Sequence, residues 1–251
     1  MTARDWLLIN EQFTAPQGEG PYMGRPAFWL RLGGCNLACR WCDTPDTWVF
    51  DERHVAAHDA HIKYDPRHTL HRATISSLVK QFVNHPLRRY AITGGEPLLQ
   101  LEGVSQLISG VNELTYDPFF EIETAGTIAP GELAEYENVW FNVSPKLASS
   151  GNPLAKRRIA PALSAFNDGS SCFKFVVDTR DPDQWRLDIE EVYEIIDEVG
   201  IPHGRVWLMP CGVTESEVIF GMRQLEEVVV KNGWNLSSRL HVLMHGSERG
   251  H

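Results

Sequence analysis

Three of the five cysteines lie close together, within residues 35–42. They are Cys35, Cys39 and Cys42, and their spacing is Cys-x3-Cys-x2-Cys. Three thiolates on one tight loop can hold three irons of an iron–sulfur cubane and leave the fourth iron open, whereas electron-transfer ferredoxins use four cysteines. The spacing therefore predicts a cluster whose open iron can bind a small molecule and deliver an electron to it.

Two other functions of the cysteine loop, a zinc site and a disulfide framework, agree less well with the sequence. A structural zinc site needs a fourth Cys or His at similarly close spacing, and the nearest, His54, comes twelve residues after Cys42. A disulfide framework fits badly because five is an odd number of cysteines and the N-terminus has no secretory signal. The cluster is favoured, and zinc stays open at this point.

The composition limits the class of protein. The chain has 251 residues, 43% of them hydrophobic and 22% charged, which is typical of a soluble protein, and we expect one domain over residues 1–251. A net charge of −10 argues against a broad electrostatic surface for nucleic acid. No apolar run approaches the ~18 residues of a membrane span, so we expect a cytoplasmic protein without membrane contact.

Predicted strands and helices alternate along the chain. Such alternation favours βαβ crossovers and a parallel sheet, and polar glycine turns recur where strands end, as in α/β barrels. The predicted strands lie at 5–14, 26–32, 90–93, 119–124, 140–143, 173–177, 205–210 and 239–243. The predicted helices lie at 74–83, with Thr74 as N-cap, and at 101–114, 183–199 and 215–232.

Two polar segments interrupt this pattern. Residues 45–72 contain His54, His58, His61, His68 and His71, and we interpret them as a solvated surface insertion because no histidine pair follows a zincin-like pattern. Residues 149–172 are rich in Ser, Gly, Asn and Pro and carry a basic run at 156–158, which predicts a mobile segment or a solvated loop. Cys172 and Cys211 are expected to be buried as small apolar residues.

Further motifs accompany the cysteine loop. Gln17-Gly-Glu-Gly is a turn by composition, and Arg31 ends an apolar strand, from which it can bind a carboxylate through two nitrogens. Thr93-Gly-Gly-Glu-Pro follows another strand, and its glycines allow a ligand to approach the backbone. Ser144-Pro-Lys follows a third strand.

Together these motifs resemble one enzyme family. Gln17-Gly-Glu-Gly, Arg31, Gly34-Cys-Asn-Leu-x-Cys-x-Trp-Cys-Asp-Thr, Thr93-Gly-Gly-Glu-Pro and Ser144-Pro-Lys have the order found in 7-carboxy-7-deazaguanine synthases, which are radical S-adenosylmethionine (radical SAM) enzymes. The resemblance runs from about residue 7 to the C-terminus. It implies a partial, modified TIM-like parallel β/α barrel of the radical SAM type.

The resemblance also implies a reaction and its cofactors. The family is a set of carbon–nitrogen lyases that convert 6-carboxy-5,6,7,8-tetrahydropterin to 7-carboxy-7-deazaguanine with loss of ammonia, in queuosine and 7-deazapurine biosynthesis. It implies a 4Fe–4S cluster, S-adenosylmethionine, Mg²⁺, a homodimer and a one-electron donor such as flavodoxin. The resemblance implies no catalytic residue, because the radical comes from S-adenosylmethionine.

Individual roles follow from the same resemblance. The implied cluster ligands are Cys35, Cys39 and Cys42, and the implied Mg²⁺ ligand is Thr44. The implied substrate contacts are Gln17, Gly18, Glu19, Arg31, Thr93 and His241. The implied S-adenosylmethionine contacts are Trp41, Asp43, Gly95, Glu96, Ser144, Pro145, Lys146, Met209 and Cys211.

The chain also departs from the family pattern, and two alternatives stay open. Cys211 stands where a Gln or Glu is more common, and Ala125 replaces an Asn. Another radical SAM enzyme, such as a glycyl-radical activase, shares the cluster but does not require Gln17, Glu19 or Thr44. A cysteine-loop metal protein without enzymatic activity is the second alternative.

Overall fold

The computed structural model describes residues 4–167, 170–246 and 248. The chain forms two compact units. Unit 1 comprises the residues up to Thr14 together with Ala27–Thr124 and Pro130–Trp140, and unit 2 comprises Ala15–Pro26, Ala125–Ala129 and the residues from Phe141 onward. The single domain expected over residues 1–251 stays a prediction.

Unit 1 is an α/β layer in which the central strands are parallel. Its strands have the order β3-β1-β2-β4-β5. The strands are β1 (Trp6–Pro16), β2 (Pro26–Leu32), β3 (His71–Thr74), β4 (Arg89–Gly94) and β5 (Phe119–Thr124). The pairs β2–β4 and β4–β5 are parallel, and β1–β3 is antiparallel. Strand β4 is buried from Tyr90 to Thr93, as expected for a parallel strand that is covered on both faces.

The helices of unit 1 have a clear origin in the sequence. They are α1 (Glu52–Ala57), α2 (Pro66–Thr69), α3 (Ile75–Asn84) and α4 (Leu101–Leu114). Thr74 caps α3 by accepting the Ser77 N–H, as predicted, and Leu78, Val79 and Phe82 form its buried face. Short 3-10 turns occupy Pro45–Thr47, Pro97–Gln100 and Gly131–Glu135.

Unit 2 repeats the parallel arrangement. Its strands have the order β6-β7-β8-β9, and each adjacent pair is parallel. The strands are β6 (Val139–Val143, which begins in unit 1), β7 (Ser171–Val177), β8 (Val206–Pro210) and β9 (Asn235–Leu236). The helices are α5 (Leu154–Arg157), α6 (Ala160–Ser164), α7 (Gln184–Val199), α8 (Glu215–Asn232) and α9 (Leu240–His245). Short 3-10 turns occupy Gly20–Tyr22, Ala148–Ser150 and His203–Arg205.

One predicted strand is wrong. Residues 239–243 do not form a strand, because Leu240–His245 is the short helix α9. A short apolar run does not distinguish a strand from a helix by periodicity. Here the helix is set by backbone bonds, since the Leu243 N–H donates to the Arg239 carbonyl and the Gly246 N–H donates to the Val242 carbonyl.

The interpretation of residues 149–172 as a solvated loop is also wrong in part, because the described residues include two short helices and several buried side chains, while the mobility of the segment stays a prediction. Arg157 is buried and pairs with Glu191 of α7, and Arg158 lies between Glu194 and Glu198 of the same helix. Two of the three basic residues therefore bind acidic side chains of α7, a helix that comes more than 25 residues later in the sequence. Residues 168 and 169 of this segment lie outside the described residues.

The histidine-rich segment 45–72 is only partly on the surface. Residues 45–49 and His58 are buried, whereas His61 and His71 are exposed. Cys172 and Cys211 are buried, as predicted. Within the part of the chain that the structure describes, no helix is both long and apolar enough to span a membrane.

Candidate active site

The cysteine loop follows β2 directly and is shaped by its own backbone. Gly34 has φ of +92°, a conformation that favours glycine, and its N–H donates to the Thr47 carbonyl at 2.8 Å. The Cys42 N–H donates to the Cys39 carbonyl at 3.2 Å, and the Leu37 N–H donates to the Cys35 sulfur at 3.4 Å. These bonds fold the three cysteines onto one short loop.

Burial of the cysteine loop affects the ionisation of its thiols. Burial raises the pKa of Cys35 to about 12, and the neighbouring Cys42, Glu96 and Cys39 contribute to the rise. Burial, followed by the Asp43 carboxylate, also raises the pKa of Cys42. The metal-free thiols of Cys35 and Cys42 are therefore protonated at neutral pH, and metal binding must displace those protons.

A single-ion site requires a different arrangement. Among residues 4–167, 170–246 and 248, no three His, Cys, Asp or Glu side chains come close enough together to bind one metal ion. A structural zinc ion takes four ligands around one centre, whereas a cubane takes one thiolate at each of several irons. The all-thiol donor set of this loop is the type that a cubane uses.

The Gly94-Gly95 turn lies directly on the start of the cysteine loop. The Gly95 N–H donates to the Leu32 carbonyl at 3.1 Å, and the Glu96 N–H donates to the Gly34 carbonyl at 2.8 Å. A Cβ on Gly95 would lie 2.0 Å from the Gly34 oxygen, and one on Gly94 would lie 2.2 Å from the Leu32 oxygen. Both positions require glycine because backbone contacts backbone there.

Glu96 has a structural function in this turn. Its side chain is fully buried, and Oε1 accepts hydrogen bonds from the Leu98 N–H at 3.0 Å and from the Thr124 hydroxyl at 2.8 Å. Glu96 thus caps the 3-10 turn that follows and joins it to the end of β5. Its implied contact with S-adenosylmethionine stays a prediction.

Arg31 and Thr93 are register neighbours on the parallel strands β2 and β4. Arg31 Nε donates to Glu11 Oε1 at 2.7 Å, and its guanidinium lies 5.5 Å from the Phe13 ring centre. The Thr93 hydroxyl donates to Glu123 Oε2 at 2.8 Å. The two implied substrate residues of unit 1 therefore lie side by side, each held by a carboxylate.

Trp41 lies within the last turn of the cysteine loop, and Asp43 and Thr44 follow that turn. The Thr44 hydroxyl lies 3.6 Å from the Cys42 sulfur. The Thr44 carbonyl accepts hydrogen bonds from the Thr47 N–H at 3.1 Å and the Thr47 hydroxyl at 2.7 Å. Trp41 is half-buried and Asp43 is exposed. The structure fixes the backbone of Thr44, and Mg²⁺ binding by its hydroxyl stays a prediction.

Unit 2 contains a buried charge cluster around Glu19. The Glu19 carboxylate pairs with the ammonium of Lys174 through Oε2 and with Arg239 Nε at 3.3 Å through Oε1, and His241 Nε2 lies 4.0 Å from Oε1. Burial alone would raise the pKa of Glu19, but the charges of Lys174, Arg239 and His241 hold it well below the usual range. Glu19 is therefore an ionised acceptor with two buried cations beside it.

The Gln17–Gly20 turn is fixed against helix α9. The Gly18 carbonyl accepts the Leu240 N–H at 2.8 Å, and a Cβ on Gly18 would lie 2.2 Å from His241 Nδ1. Gln17 is buried, and its Oε1 accepts the Glu19 N–H at 3.2 Å. The structure thus brings four implied substrate residues together: Gln17, Gly18, Glu19 and His241.

The Ser144–Lys146 loop and the end of β8 complete the implied set in unit 2. Lys146 Nζ donates to the Ser144 hydroxyl at 2.8 Å and to its carbonyl at 3.0 Å, while Arg157 Nη1 donates to the Lys146 carbonyl at 3.1 Å. Pro145, Met209 and Cys211 are buried, and the Cys211 N–H donates to the Val177 carbonyl at 2.8 Å. These contacts hold the loop in place and leave its cofactor role a prediction.

Known proteins are similar to this chain over most or all of its length. A family model described as the radical SAM superfamily matches residues 29–218. The chain is 32% identical over 251 residues to the curated 7-carboxy-7-deazaguanine synthase of Pyrobaculum aerophilum, with 100% of both proteins covered. It is 29% identical over 260 residues to the protein of the same name from Rhodopirellula baltica, with 97% of this chain and 88% of the relative covered.

The chain belongs to the 7-carboxy-7-deazaguanine synthase family.

A solved structure agrees with this assignment. The crystal structure of QueE from Escherichia coli matches with a TM-score of 0.67 and 26% identity, covering 94% of this chain and 95% of that one. The expected fold class, a partial TIM-like β/α fold of the radical SAM type, is thereby confirmed. Membership of the radical SAM superfamily also confirms the predicted 4Fe–4S cluster and S-adenosylmethionine.

Sequence reasoning missed several residues that hold the implied site residues within each unit of this synthase-family protein. Lys174 and Arg239 hold Glu19, and Glu11 and Glu123 hold Arg31 and Thr93. Gln100 joins Leu8 to Gly33, because its Nε2 donates to both carbonyls and its Oε1 accepts the Leu8 N–H. The one available signal was charge within apolar strands, namely Lys174 in β7 and Glu123 in β5.

Proposed function

We propose that this protein is a radical SAM lyase that converts 6-carboxy-5,6,7,8-tetrahydropterin to 7-carboxy-7-deazaguanine with loss of ammonia, in 7-deazapurine biosynthesis. One observation carries the proposal beyond family membership. In unit 1 the cysteine loop, the Gly94-Gly95 turn and the Arg31–Thr93 pair all lie where the parallel strands β2 and β4 end. That edge is where α/β folds bind ligands.

The residues of unit 1 are proposed to bind the cluster, S-adenosylmethionine and the substrate. Cys35, Cys39 and Cys42 ligate the cluster, and the Gly95 backbone contributes to the S-adenosylmethionine site beside it. The bound cluster and S-adenosylmethionine supply the one-electron chemistry that starts hydrogen abstraction. Arg31 binds the substrate carboxylate with its guanidinium, which Glu11 holds in orientation, and the Thr93 hydroxyl faces the substrate.

The residues of unit 2 are proposed to recognise the pterin edge. An ionised Glu19 accepts hydrogen bonds from ring N–H and amino groups, and Lys174 and Arg239 keep it ionised. Gln17, the Gly18 backbone and His241 provide further polar contacts. The remaining S-adenosylmethionine contacts are assigned to Trp41, Asp43, Glu96, Ser144, Pro145, Lys146, Met209 and Cys211.

The proposal includes a metal ion and partners. Thr44 would contribute a hard oxygen ligand to Mg²⁺, and the ion would supply a positive charge for the substrate carboxylate. The protein acts as a homodimer in the cytoplasm and takes its electron from a small donor such as flavodoxin. No particular residue of this chain favours a different radical SAM activity, such as that of a glycyl-radical activase.

Anaerobic incubation tests the proposal. Protein reconstituted to about four irons per chain is mixed with dithionite, S-adenosylmethionine, Mg²⁺ and carboxytetrahydropterin, and 7-carboxy-7-deazaguanine is measured by mass spectrometry. Product is expected only in the complete mixture. Cleavage of S-adenosylmethionine without deazaguanine would indicate a different radical SAM reaction, and one zinc per chain in place of iron would contradict the enzyme proposal altogether.

A further inference from the structure

The third cluster cysteine has two side-chain neighbours that come from the histidine-rich segment. Trp48 is buried at 3% exposure, and its indole Nε1–H donates to the Cys42 sulfur at 3.4 Å. His58 is buried at 5% exposure, and its Nε2 lies 2.8 Å from the Cys42 carbonyl oxygen. The sulfur and the carbonyl of one cysteine are therefore both hydrogen-bonded by this segment.

The hydrogen bonds of His58 define its tautomer. The Ala60 N–H donates to Nδ1 at 3.2 Å, so Nδ1 is the acceptor and carries no proton. The proton therefore resides on Nε2, which donates it to the Cys42 carbonyl. A neutral His58 satisfies both partners, and its ring position is fixed from two sides.

The segment is attached to the cysteine loop by further contacts. The Asp59 N–H donates to the Arg40 carbonyl at 2.8 Å, and the Asp59 carboxylate pairs with Arg40 Nε at 3.0 Å. The rings of His54 and His58 pack edge-on against Trp48, at 5.3 Å and 6.1 Å between ring centres. Aromatic packing thus fixes the Trp48 ring, and with it the direction of the indole N–H.

A donor aimed at a ligating sulfur has a defined effect on a cluster. Hydrogen bonds to the sulfurs help to set the reduction potential of iron–sulfur clusters. Reduction adds negative charge to the cluster and its thiolates, so a fixed N–H stabilises the reduced form more than the oxidised form.

We propose that Trp48 and His58 are positioning residues of the cluster, through which the histidine-rich segment raises the reduction potential of the cluster and holds Cys42 in place. This inference rests on the proposed function, because it takes the cysteine loop as the cluster site. Trp48 acts on the sulfur and sets the potential. His58 acts on the backbone and sets how firmly the third ligand is held.

The reduction potential tests the Trp48 part. Reconstituted Trp48→Phe keeps the aromatic packing but loses the N–H, and its one-electron midpoint potential is measured by mediated titration followed by electron paramagnetic resonance. We expect a shift to more negative potential and an altered signal of the reduced cluster, at unchanged iron content. Trp185→Phe, which removes an indole from the other unit, should leave both unchanged.

The rate of iron loss tests the His58 part. His58→Phe should lose iron to a chelator several times faster than the wild type, whereas His58→Gln, which can still donate to the carbonyl, should retain part of the protection. His68→Phe, at an exposed histidine of the same segment, is the control and should match the wild type.

The outcomes separate the inference from the proposed function. If the wild type assembles the cluster and forms product but Trp48→Phe has the wild-type potential, the inference is wrong and the proposed function stands. Equal iron loss from His58→Phe and the wild type would contradict the role of His58. If the wild type assembles no four-iron cluster, both are overturned.

Discussion

Substituting Gly95 by alanine is the sharpest test of how the cluster loop is held. The new methyl carbon would lie 2.0 Å from the Gly34 oxygen, whereas ordinary contacts begin at 3.4 Å, so the two turns must separate by about 1.4 Å. The clashing atom is a backbone oxygen of the cysteine loop, and a backbone atom cannot move away by a change of rotamer. Separation by that distance also breaks the 2.8 Å hydrogen bond from the Glu96 N–H to the Gly34 carbonyl.

The magnitude follows from these two effects. Overpacking of a tight site costs about 1–3 kcal/mol, and one lost backbone hydrogen bond costs about 1 kcal/mol. We therefore expect Gly95→Ala to lower the free energy of unfolding by about 2–4 kcal/mol and the melting temperature by roughly 5–15 °C. Because the strain falls on Gly34 and Cys35, iron uptake on reconstitution should fall several-fold.

The assay compares melting temperature and iron content with a matched control. Gly204→Ala is suitable because a Cβ there would meet nothing within 4 Å, and it should behave as the wild type. If Gly95→Ala retained both the stability and the iron content of Gly204→Ala, the argument that the Gly94-Gly95 turn supports the cysteine loop would be wrong.

Four further predictions concern the charge cluster and the metal. Glu19→Gln leaves two buried cations without their carboxylate and should cost about 3–5 kcal/mol at neutral pH by chemical denaturation, and an unchanged midpoint would contradict the buried ion pairing. Folding lowers the pKa of Glu19 below its ordinary value of 4.5, so the ionised carboxylate stabilises the folded protein fully above pH 4.5 and loses that effect as the pH falls through the folded pKa. The free energy of unfolding of Glu19→Gln should therefore fall less steeply with acid than that of the wild type. Parallel acid profiles of the two proteins would refute this. Lys174→Met leaves Arg239 beside Glu19 and should raise the KM for the pterin more than it lowers kcat, whereas an equal fall in both kcat and kcat/KM would contradict a positioning role. Thr44→Ala should reduce the response of turnover to Mg²⁺ at unchanged iron content, and an unchanged Mg²⁺ titration would remove Thr44 from the metal site.

The sequence predicts those parts of the fold that depend on local pattern. Strand β2 is observed at the predicted residues, and α8 begins and ends as predicted because the Thr214–Glu217 capping box defines its start. The run at 239–243 failed because apolar content alone does not choose between strand and helix when the run is this short. Arg157 was misjudged because its partner Glu191 becomes a neighbour only after folding.

The same division holds for the candidate site. Motif residues such as Cys35 and Gly95 can be identified from the sequence, because each belongs to a short motif whose members are close together along the chain. The residues that hold them are not, because Lys174 is 155 positions from Glu19 and pairs with it only through the fold. Trp48 and His58 lie in a segment whose composition indicated a solvated insertion, and only the structure shows them at Cys42.

The central claim is that the cysteine loop carries a pterin-to-deazaguanine activity. The most direct measurement is the yield of 7-carboxy-7-deazaguanine from carboxytetrahydropterin, compared between the reconstituted wild type and a variant with Cys35, Cys39 and Cys42 replaced by alanine. We predict product from the wild type that requires both S-adenosylmethionine and reductant, and no product from the variant. Equal yields from both proteins, or no deazaguanine from a wild type that contains its full cluster, would contradict the account.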